Sequence, residues 1–574
     1  MLTHSQAARM TKGTSFFVYL HVSASAMVWL LLAAAAASPL REPVLIVGGG
    51  PAGLSTAILL AKRGYSDITV VEKSPWREYF AASDPSSHTV SLTERGQLVL
   101  RTLDWDLAEA VRAHSLINAM SNVTHVGADG LCEQIAEKAA MVDSVALLSS
   151  GKLEKRHRGS SSSKELPKEA WQIPRHTLVR LLSRHLMRSY PGQVRLLTGR
   201  EVVDVVPGTA SEPHVGVLMR QRRGRSVYRE STCKAHLVIG ADGRKSQVSQ
   251  VLAKLNPERF SKIRPTLARP AGRNPSEDTP VCKTISLPAE LDLQTAAGPQ
   301  RLAADTFATL QSPEERVHAV IYAAPRAGAR HRSAVIVAPA EHRLMEERDP
   351  RRVADALADA FPQLRGVVWS AREVVRYARR RAVDVDGCHY MSHCWCSWRG
   401  KESGDSRGYV AILGEATRGL HYLSTHGLDA ALEDVLYLDA VLQASNHSLS
   451  RALPAFSKAR VRQMRALTSL AAMHPHLPFP LGPTQPSLVS AVDFAVRWHL
   501  SRWMPFSSLI HPPVPCLLAR ADLTYEQVWR RACRTSGLLG FAAWMAEFSL
   551  AVGVLWLATG GVPAVEVEWT GERG

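Results

Sequence analysis

PVLIVGGGPAGLSTAILLAKRGYSDITVVEK, residues 43–73, is the stretch that decides the fold. The β-branched run Val44–Val47 predicts a buried strand, and the run Leu54–Lys62 predicts a helix. Ile68–Val71 predicts a second strand. A strand, a glycine turn, a helix and a strand in this order predict one βαβ unit of a parallel sheet.

The glycines of this stretch point to a ligand. Gly48, Gly50 and Gly53 stand in GxGxxG spacing, and Glu72 follows the second strand. Gly48 permits a tight turn, Gly50 leaves room for a pyrophosphate, and Gly53 lets the helix pack closely on the strand. A carboxylate at Glu72 can accept hydrogen bonds from a ribose. The pattern predicts dinucleotide binding, and the alternative is a glycine-rich turn without a ligand.

Composition narrows the class of protein. The chain has 574 residues, of which 46% are hydrophobic and 21% charged, and a formal net charge of +17. This length and composition indicate a globular protein with more than one domain. The basic residues are scattered, as in Arg220–Arg225 and Arg379–Arg381, without interleaved aromatic residues, so no nucleic-acid partner is predicted. Anionic cofactors, acidic substrates or anionic lipid surfaces also suit a basic protein.

The eight cysteines show no spacing typical of a disulfide framework, and free thiols are expected. One stretch, CHYMSHCWCSW at 388–398, brings together soft ligands that could hold zinc: Cys388, His389, His393, Cys394 and Cys396. Its spacing fits no familiar zinc signature. We therefore predict no metal, and interpret the stretch as an aromatic, cysteine-rich surface insertion in a loop.

Two segments suggest contact with a membrane. The N-terminal segment 1–42 contains an uncharged apolar run, typical of a signal peptide, a signal anchor or a transit sequence. Residues 535–560 are long enough to span a bilayer, with Glu547 as the main objection. These segments predict a membrane-associated protein of the mitochondrial outer membrane, the endoplasmic reticulum or a plastid.

Two further glycine-bearing turns follow in the chain. A strand at Leu237–Ile239 leads into Gly240, Asp242 and Gly243. Another, Tyr409–Leu413, leads into Gly414 and Glu415, and a helix is predicted from Gly427 to Leu442. Between the first turn and these two, Arg175 begins a helix with leucines on one face. Residues 264–399 alternate strand candidates with one clear helix at Arg351–Phe361, as a second domain would.

These motifs occur in the same order in the single-component aromatic flavoprotein monooxygenases, and the chain resembles that superfamily. Within it, the similarity is greatest to kynurenine monooxygenase. The shared features are GGGPAG with Glu72, Arg175 in R-x-x-L, GADG at 240–243, SHTVSLTERG at 87–96 and GEATRGLHYLSTHGLDAALEDV at 414–435.

The resemblance implies an α/β fold made of a Rossmann-like FAD-binding domain and an interleaved β-sheet substrate domain. The FAD-binding domain would cover 43–263 and 400–450, and the substrate domain 264–399. A helical region at 451–534 and a membrane-anchoring helix at 535–560 would follow. The implied reaction is reduction of FAD by NADPH or NADH and transfer of one oxygen atom from O2 to a small aromatic substrate.

The resemblance also implies residue roles. Gly48, Gly50 and Gly53 would hold the pyrophosphate, Glu72 the ribose, and Arg175 would lie near the phosphates. Asp242 and Gly243 would lie beside the cofactor and the path of the nicotinamide. Gly414 and Glu415 would meet the ribityl chain, and Gly427 the flavin ring. No catalytic side chain is assigned, since the cofactor supplies the chemistry.

The flavin end departs from the family pattern. Glu415 replaces Asp, Arg418 replaces His, Tyr422 replaces Pro, and Thr425, His426 and Asp429 replace Gly, Gln and Asn. No arginine for a substrate carboxylate is evident around 119–125, so kynurenine is not carried over as the substrate. These departures leave a second hypothesis, a degenerate flavoprotein that binds FAD without hydroxylating anything. His421 and His426 are candidates for proton donation, although loop histidines more often form structural hydrogen bonds.

Overall fold

A computed structural model describes residues 42–79, 88–117, 123–134, 170–208, 214–222, 227–265, 280–314, 316–324, 329–367, 369–385, 388–399, 407–420, 426–473, 496–497, 500–501, 510–518 and 520–558. These residues form an α/β fold, as the sequence predicts. Residues 1–41, residues 135–169, His421, Tyr422 and Thr425 lie outside them.

The strands follow one another along the chain as β1 (Val44–Val47), β2 (Ile68–Glu72), β3 (Thr89–Leu92), β4 (Leu116–Ile117), β5 (Val123–Val126), β6 (Cys132–Gln134), β7 (Trp171–Pro174), β8 (Val194–Thr198), β9 (Arg200–Val206), β10 (Val215–Arg222), β11 (Tyr228–Ala235), β12 (Leu237–Gly240), β13 (Lys262–Ile263), β14 (Pro280–Pro288), β15 (Leu291–Thr295), β16 (Gly298–Leu302), β17 (Phe307–Gln311), β18 (His318–Ile321), β19 (His331–Pro339), β20 (Val383–Asp384), β21 (His389–Met391), β22 (Trp395–Arg399), β23 (Arg407–Ile412) and β24 (Arg418–Gly419).

The α-helices are α1 (Pro51–Lys62), α2 (Trp76–Tyr79), α3 (Glu94–Leu103), α4 (Trp105–Ala113), α5 (Arg175–Ser189), α6 (Gln247–Leu255), α7 (Arg343–Glu346), α8 (Pro350–Ala360), α9 (Ala371–Arg379), α10 (His426–Ala444), α11 (Leu449–Met473), α12 (Val514–Leu518) and α13 (Tyr525–Ala558). Short 3-10 turns cover Pro362–Leu364 and Gly414–Ala416.

A six-stranded sheet in the order β22-β23-β12-β1-β2-β8 positions the site. Its strands are parallel except β22. Val47 is paired with both Val71 and Gly240, and Gly240 with Ile412. This register aligns the carboxyl ends of β1, β2, β12 and β23 at one edge. The three predicted turns therefore meet there, as expected of ligand sites in parallel sheets.

Helix α1 shows why the glycine spacing matters for packing. It begins at Pro51, three residues earlier than predicted, because proline is well tolerated in the first helical turn. An ideal Cβ on Gly53 would lie 2.0 Å from the carbonyl oxygen of Gly48. The helix can approach the end of β1 so closely only because residue 53 has no side chain.

A seven-stranded sheet forms a second layer, in the order β20-β14-β19-β18-β17-β5-β6. One face packs on α8 and α9 around Ile336, Leu357 and Tyr377. The opposite face carries Phe307 and Tyr322, which line the cleft described below. Two of its strands, β5 and β6, precede residue 264, so this sheet draws on more of the chain than the segment 264–399.

The interpretation of residues 388–398 as a surface loop is wrong. Residues 389–391 form β21, and β22 is an edge strand paired antiparallel with β23. Cys394 and Cys396 are buried in the core of the six-stranded sheet, because small apolar thiols and β-favouring aromatic residues suit a half-buried strand. Within the described parts of the chain, no cluster of His, Cys, Asp or Glu has the makings of a metal site.

The predicted membrane-anchoring span at 535–560 gains no support. Helix α13 begins at Tyr525, and its first turns belong to the folded body, since Tyr525, Val528 and Ala532 are buried against α11 and α12. Among the described residues, none of the helices combines the length and the apolarity needed to cross a bilayer. The apolar run predicted as an anchor thus continues a helix that starts within the protein core.

The close packing of α1 on β1 predicts that a side chain at position 53 lowers the stability of the protein. Gly53→Ala should lower the free energy of unfolding by at least about 1–3 kcal/mol, because the added methyl meets a backbone carbonyl that cannot move alone. Gly537→Ala, in α13, is the matched control. Apart from its own helix, none of the described atoms lies within 4 Å of its ideal Cβ, so stability should be unchanged or rise by up to about 1 kcal/mol. Urea denaturation of the full chain measures both, and equal effects would contradict the packing argument.

Candidate functional site

The carboxyl edge of the six-stranded sheet opens into a cleft of about 690 Å³. It runs between that sheet and the face of the seven-stranded sheet that carries Phe307 and Tyr322. The predicted site residues that line it are Gly48, Gly50, Glu72, Arg175, Asp242, Gly243, Glu415 and Gly427. Gly53 and Gly414 do not line the cleft and lie behind its wall. The structure thus brings the three predicted turns into one site.

The first turn requires glycine at position 48. Gly48 has φ +106°, and an ideal Cβ there would lie 2.4 Å from the carbonyl oxygen of Ala241. The end of β1 and the segment after β12 therefore touch backbone to backbone. A side chain at this position would be strained in conformation and would also separate the two segments.

The same turn has an open side that suits a diphosphate. The ideal Cβ of Gly50 meets just one described atom within 4 Å, Nη2 of Arg175 at 3.2 Å. Backbone at the N-terminus of α1 and a guanidinium thus stand side by side with no side chain between them. Both groups attract phosphate oxygens, so the residues present fit the pyrophosphate of a dinucleotide.

Glu72, the last residue of β2, is hydrogen-bonded to the glycine turn that follows β1. Its Oε2 accepts a hydrogen bond from the backbone N–H of Gly49 at 2.9 Å, and its Oε1 accepts one from Ser74 N–H at 2.8 Å. A carboxylate has about four acceptor positions, so two bonds leave capacity for ribose hydroxyl groups. The predicted role of Glu72 as a ribose acceptor is compatible with this geometry.

Asp242 has a structural task in addition to its predicted one. Its Oδ2 accepts hydrogen bonds from Gln247 N–H at 2.7 Å and Val248 N–H at 3.3 Å, which caps the start of α6. Burial raises the pKa of Asp242 above its ordinary value, although these hydrogen bonds oppose the shift. Gly243, with φ +80°, has open space around it and faces the cleft.

The third turn brings Glu415 and Gly427 together at the far end of the cleft. Gly414 has φ +64°, and its N–H donates to Oδ2 of Asp434 at 2.7 Å. Oε1 of Glu415 lies 3.7 Å from the ideal Cβ position of Gly427. The carboxylate that replaces aspartate therefore reaches the N-terminus of α10, where the flavin ring is expected.

A buried ionic cluster behind this turn was not predicted. Asp434 on α10 accepts from Arg418 Nη1 at 2.9 Å and from Arg460 Nε at 2.6 Å, and all three side chains are 1% exposed. Arg418, which replaces the family's histidine, thus points to Asp434 and does not line the cleft. Sequence spacing cannot reveal this cluster, because Arg460 comes from α11.

A second buried acid on α10, Asp429, is held without a direct ion pair among the described residues. Its Oδ2 accepts from the Thr93 hydroxyl at 2.6 Å, and the Thr93 N–H also points to the carboxylate. Burial raises the pKa of Asp429 to about 7. Gly96 is needed here, since its ideal Cβ would lie 2.3 Å from Oδ1 of Asp429.

His426, a candidate proton donor, is buried and does not line the cleft. Burial lowers the pKa of His426 to about 4, and the nearby charge of Arg95 adds to this shift. The imidazole is therefore neutral at pH 7 and has no proton to release to a ligand. His421 lies outside the described residues.

Arg95 connects helix α10 to the C-terminal region. Its Nη1 donates to Glu433 Oε1 at 2.8 Å, and its Nε donates to the carbonyl oxygen of Leu518 at 3.0 Å. Further contacts join it to the carbonyl oxygens of Arg520 and Leu523 and to the ring of Tyr525. Leu518, Arg520, Leu523 and Tyr525 thus help to support α10. Arg95 belongs to the SHTVSLTERG stretch that resembles the family, but the sequence analysis assigns it no role.

Comparison with known proteins bears on the ligand. Residues 41–265 match the family described as FAD binding domain. This match supports FAD as the dinucleotide, in agreement with the sequence motifs. No curated protein matches the chain.

Several solved structures are similar to this chain. It is 18% identical to PqsL, a probable FAD-dependent monooxygenase from Pseudomonas aeruginosa, over 76% of this chain and 96% of that one, with a TM-score of 0.43. It is 17% identical to p-nitrophenol 4-monooxygenase PnpA from Pseudomonas putida DLL-E4, over 75% and 88%, with a TM-score of 0.48. It is 16% identical to 2-methyl-3-hydroxypyridine-5-carboxylic acid oxygenase, over 80% and 98%, with a TM-score of 0.48.

The buried carboxyl of Asp429 predicts a pH dependence. A pKa raised in the folded state contributes stability that is fully present below about pH 4 and is lost as the pH rises through about 7. Between pH 5 and 8, the wild type should lose about 2–3 kcal/mol relative to Asp429→Asn, whose amide stays neutral. Urea unfolding across this range measures the difference. Parallel profiles for the two proteins would contradict the raised pKa.

The cluster around Asp434 predicts a large effect on stability. Asp434→Asn removes the charge that faces two buried arginines, so the free energy of unfolding should fall by about 3–5 kcal/mol. Asp67→Asn is the control, because Asp67 forms an exposed pair with Arg195 and should lose at most about 1 kcal/mol. Comparable losses at the two sites, measured by chemical denaturation, would argue against the buried cluster as a major support of α10.

Proposed function

We propose that this protein is a FAD-dependent monooxygenase that uses NADPH or NADH and O2 to hydroxylate an aromatic or similar small molecule. The observation that carries the proposal is the single cleft that joins all three predicted turns. It extends from Gly48 and Glu72 at one end to Gly427 at the other. The FAD binding domain match and the motif order support the same reading.

The residues have separable roles in this proposal. Gly50 and Arg175 would bind the pyrophosphate, and Glu72 the adenosine ribose. Glu415 would meet the ribityl chain, and Gly427, at the N-terminus of α10, would favour negative charge on the flavin ring. Bound FAD, once reduced, would supply the chemistry by which O2 oxidises the substrate.

The seven-stranded sheet offers a surface for an aromatic substrate. The rings of Phe307 and Tyr322 lie 5.3 Å apart between centroids in an edge-to-face arrangement, and both line the cleft. Burial raises the pKa of Tyr322 well above its ordinary value, so its hydroxyl stays protonated. An apolar aromatic wall would exclude water and orient a planar ring.

A second candidate is a flavoprotein that binds FAD without hydroxylating a substrate. The observation that favours it is the changed support behind the flavin end, where Arg418 and Asp429 occupy family positions for histidine and asparagine. Arg418 is committed to Asp434. The residues proposed to bind adenosine show no such departures from the family pattern. In this candidate the chain therefore keeps FAD binding and loses hydroxylation.

Spectroscopy and turnover of the full chain distinguish the two candidates. The purified protein should show the visible absorbance of a bound flavin, and an aromatic substrate should accelerate its oxidation of NADPH or NADH. The product should carry one oxygen atom from isotopically labelled O2. Bound flavin without stimulation by any member of a broad aromatic panel would favour the non-catalytic candidate, and absence of flavin binding would contradict both.

A substitution at Gly50, which is proposed to bind the diphosphate, tests whether this cleft is the FAD-binding site. Gly50→Val places a branched side chain against Arg175 and should abolish or greatly weaken FAD binding. Gly537→Val is the matched control, since no described atom outside its own helix lies within 4 Å of its ideal Cβ and Gly537 does not line the cleft. Retention of FAD by Gly50→Val at the wild-type level would exclude this turn as the binding site.

A further inference from the structure

Both polar backbone groups of Gly49 are hydrogen-bonded to side chains, one from the last residue of β2 and one from α2. Its N–H donates to Glu72 Oε2 at 2.9 Å. Its carbonyl oxygen accepts a hydrogen bond from the hydroxyl of Tyr79, in α2, at 2.7 Å. Gly49 is the variable position of GxGxxG, so the motif itself does not explain why the chain has glycine there.

The contacts around Gly49 supply that explanation. An ideal Cβ at this position would lie 2.9 Å from the Tyr79 hydroxyl, 3.1 Å from its ring and 3.1 Å from Cβ of Glu72. Any side chain would displace the tyrosine from the turn. The tyrosine can therefore occupy its position beside the turn only because residue 49 has no side chain.

Few N–H groups of the turn remain for an anionic ligand. Gly48 N–H donates to Val71 O at 2.8 Å, Gly49 N–H is taken by Glu72, and Pro51 has none. No described backbone carbonyl outside the helix accepts from Gly50 N–H. Gly50 therefore provides the first donor of the turn that can face a phosphate, beside Arg175.

We propose that Tyr79 is a positioning residue for the diphosphate of the bound dinucleotide. The carbonyl of Gly49 and the N–H of Gly50 belong to one planar trans peptide and point in opposite directions. By holding the carbonyl, the Tyr79 hydroxyl holds the N–H of Gly50 toward the ligand. This inference rests on the proposed FAD binding and adds a residue that the glycine motif does not include.

The environment of Tyr79 suits this task. The residue lines the cleft and is half-buried. Burial raises the pKa of its hydroxyl well above the ordinary value, and the carboxylate of Glu72 acts in the same direction. The hydroxyl therefore remains a hydrogen-bond donor throughout the physiological pH range. The carbonyl oxygen of Gly49 can only accept a hydrogen bond, so the Tyr79 hydroxyl is the donor.

Tyr79→Phe removes the hydroxyl and keeps the ring. Affinities of the full-length apoprotein for FAD, ADP and adenosine are measured by calorimetry, or by competition with FAD. We expect about 3- to 10-fold weaker binding of FAD and of ADP, the loss of one hydrogen bond, and adenosine binding within about 2-fold of the wild type. ADP keeps the diphosphate and adenosine lacks it, so the pair isolates the group on which Tyr79 acts.

Tyr65→Phe is the matched control. Tyr65 is also buried, and its hydroxyl lies near Nδ1 of His447 at 3.4 Å, away from the cleft. This variant should bind all three ligands as the wild type does.

Three results would overturn the proposal: unchanged affinity of Tyr79→Phe for FAD and ADP, an equal loss of adenosine binding, or a changed circular dichroism spectrum of the apoprotein. The last would indicate a merely structural role. Failure of the wild type to bind FAD would instead contradict the proposed function, and the two outcomes are distinguishable because each variant is compared with the wild type.

Discussion

The contact between the end of β1 and the segment after β12 is the constraint on which the site depends. Gly48 lies against the backbone of Ala241 at a distance that leaves no room for a Cβ. This contact keeps two neighbouring parallel strands in register to their last residues. The turns that follow them therefore open into the same cleft, which brings together residues almost two hundred positions apart in the chain.

Helix α10 provides the second support, and it is electrostatic. Asp429, Glu433 and Asp434 on this one helix engage Thr93, Arg95, Arg418 and Arg460 from three other parts of the chain. Buried ionic groups are costly unless every partner is in place, so such a cluster specifies one arrangement of helices more than it adds net stability. Its consequence for function is positional, because the N-terminus of α10 carries Gly427 into the cleft.

The proposed adenosine-binding residues follow from local sequence more directly than the proposed flavin-binding residues do. A glycine motif acts through local backbone geometry, so Gly48, Gly50, Gly53 and Glu72 could be interpreted from spacing alone. Arg418 shows the opposite case. It occupies a motif position where the family has histidine, and it is paired with Asp434 and does not line the cleft. A substitution of one residue type by another does not indicate where the new side chain will point.

Residues 388–398 also differ in the structure from what their sequence indicates. The sequence indicates a surface insertion in a loop there, yet strands form at His389–Met391 and Trp395–Arg399, and Cys394 and Cys396 are buried. The apolar run near the C-terminus was likewise treated as a separate span, whereas α13 begins in the core. Local composition describes what a segment could contact. It does not say what the rest of the chain places beside it.

The sequence by itself determined the βαβ unit and the order of the three turns and predicted a dinucleotide ligand, because these depend on short-range periodicity and on backbone freedom at particular glycines. Only the tertiary structure decided that Tyr79 meets Gly49, that Arg95 joins α10 to Leu518 and Tyr525, and that Asp434 lies between two arginines. Those pairings depend on long-range packing, in which partners distant in the chain are chosen by shape and charge once the sheets have assembled.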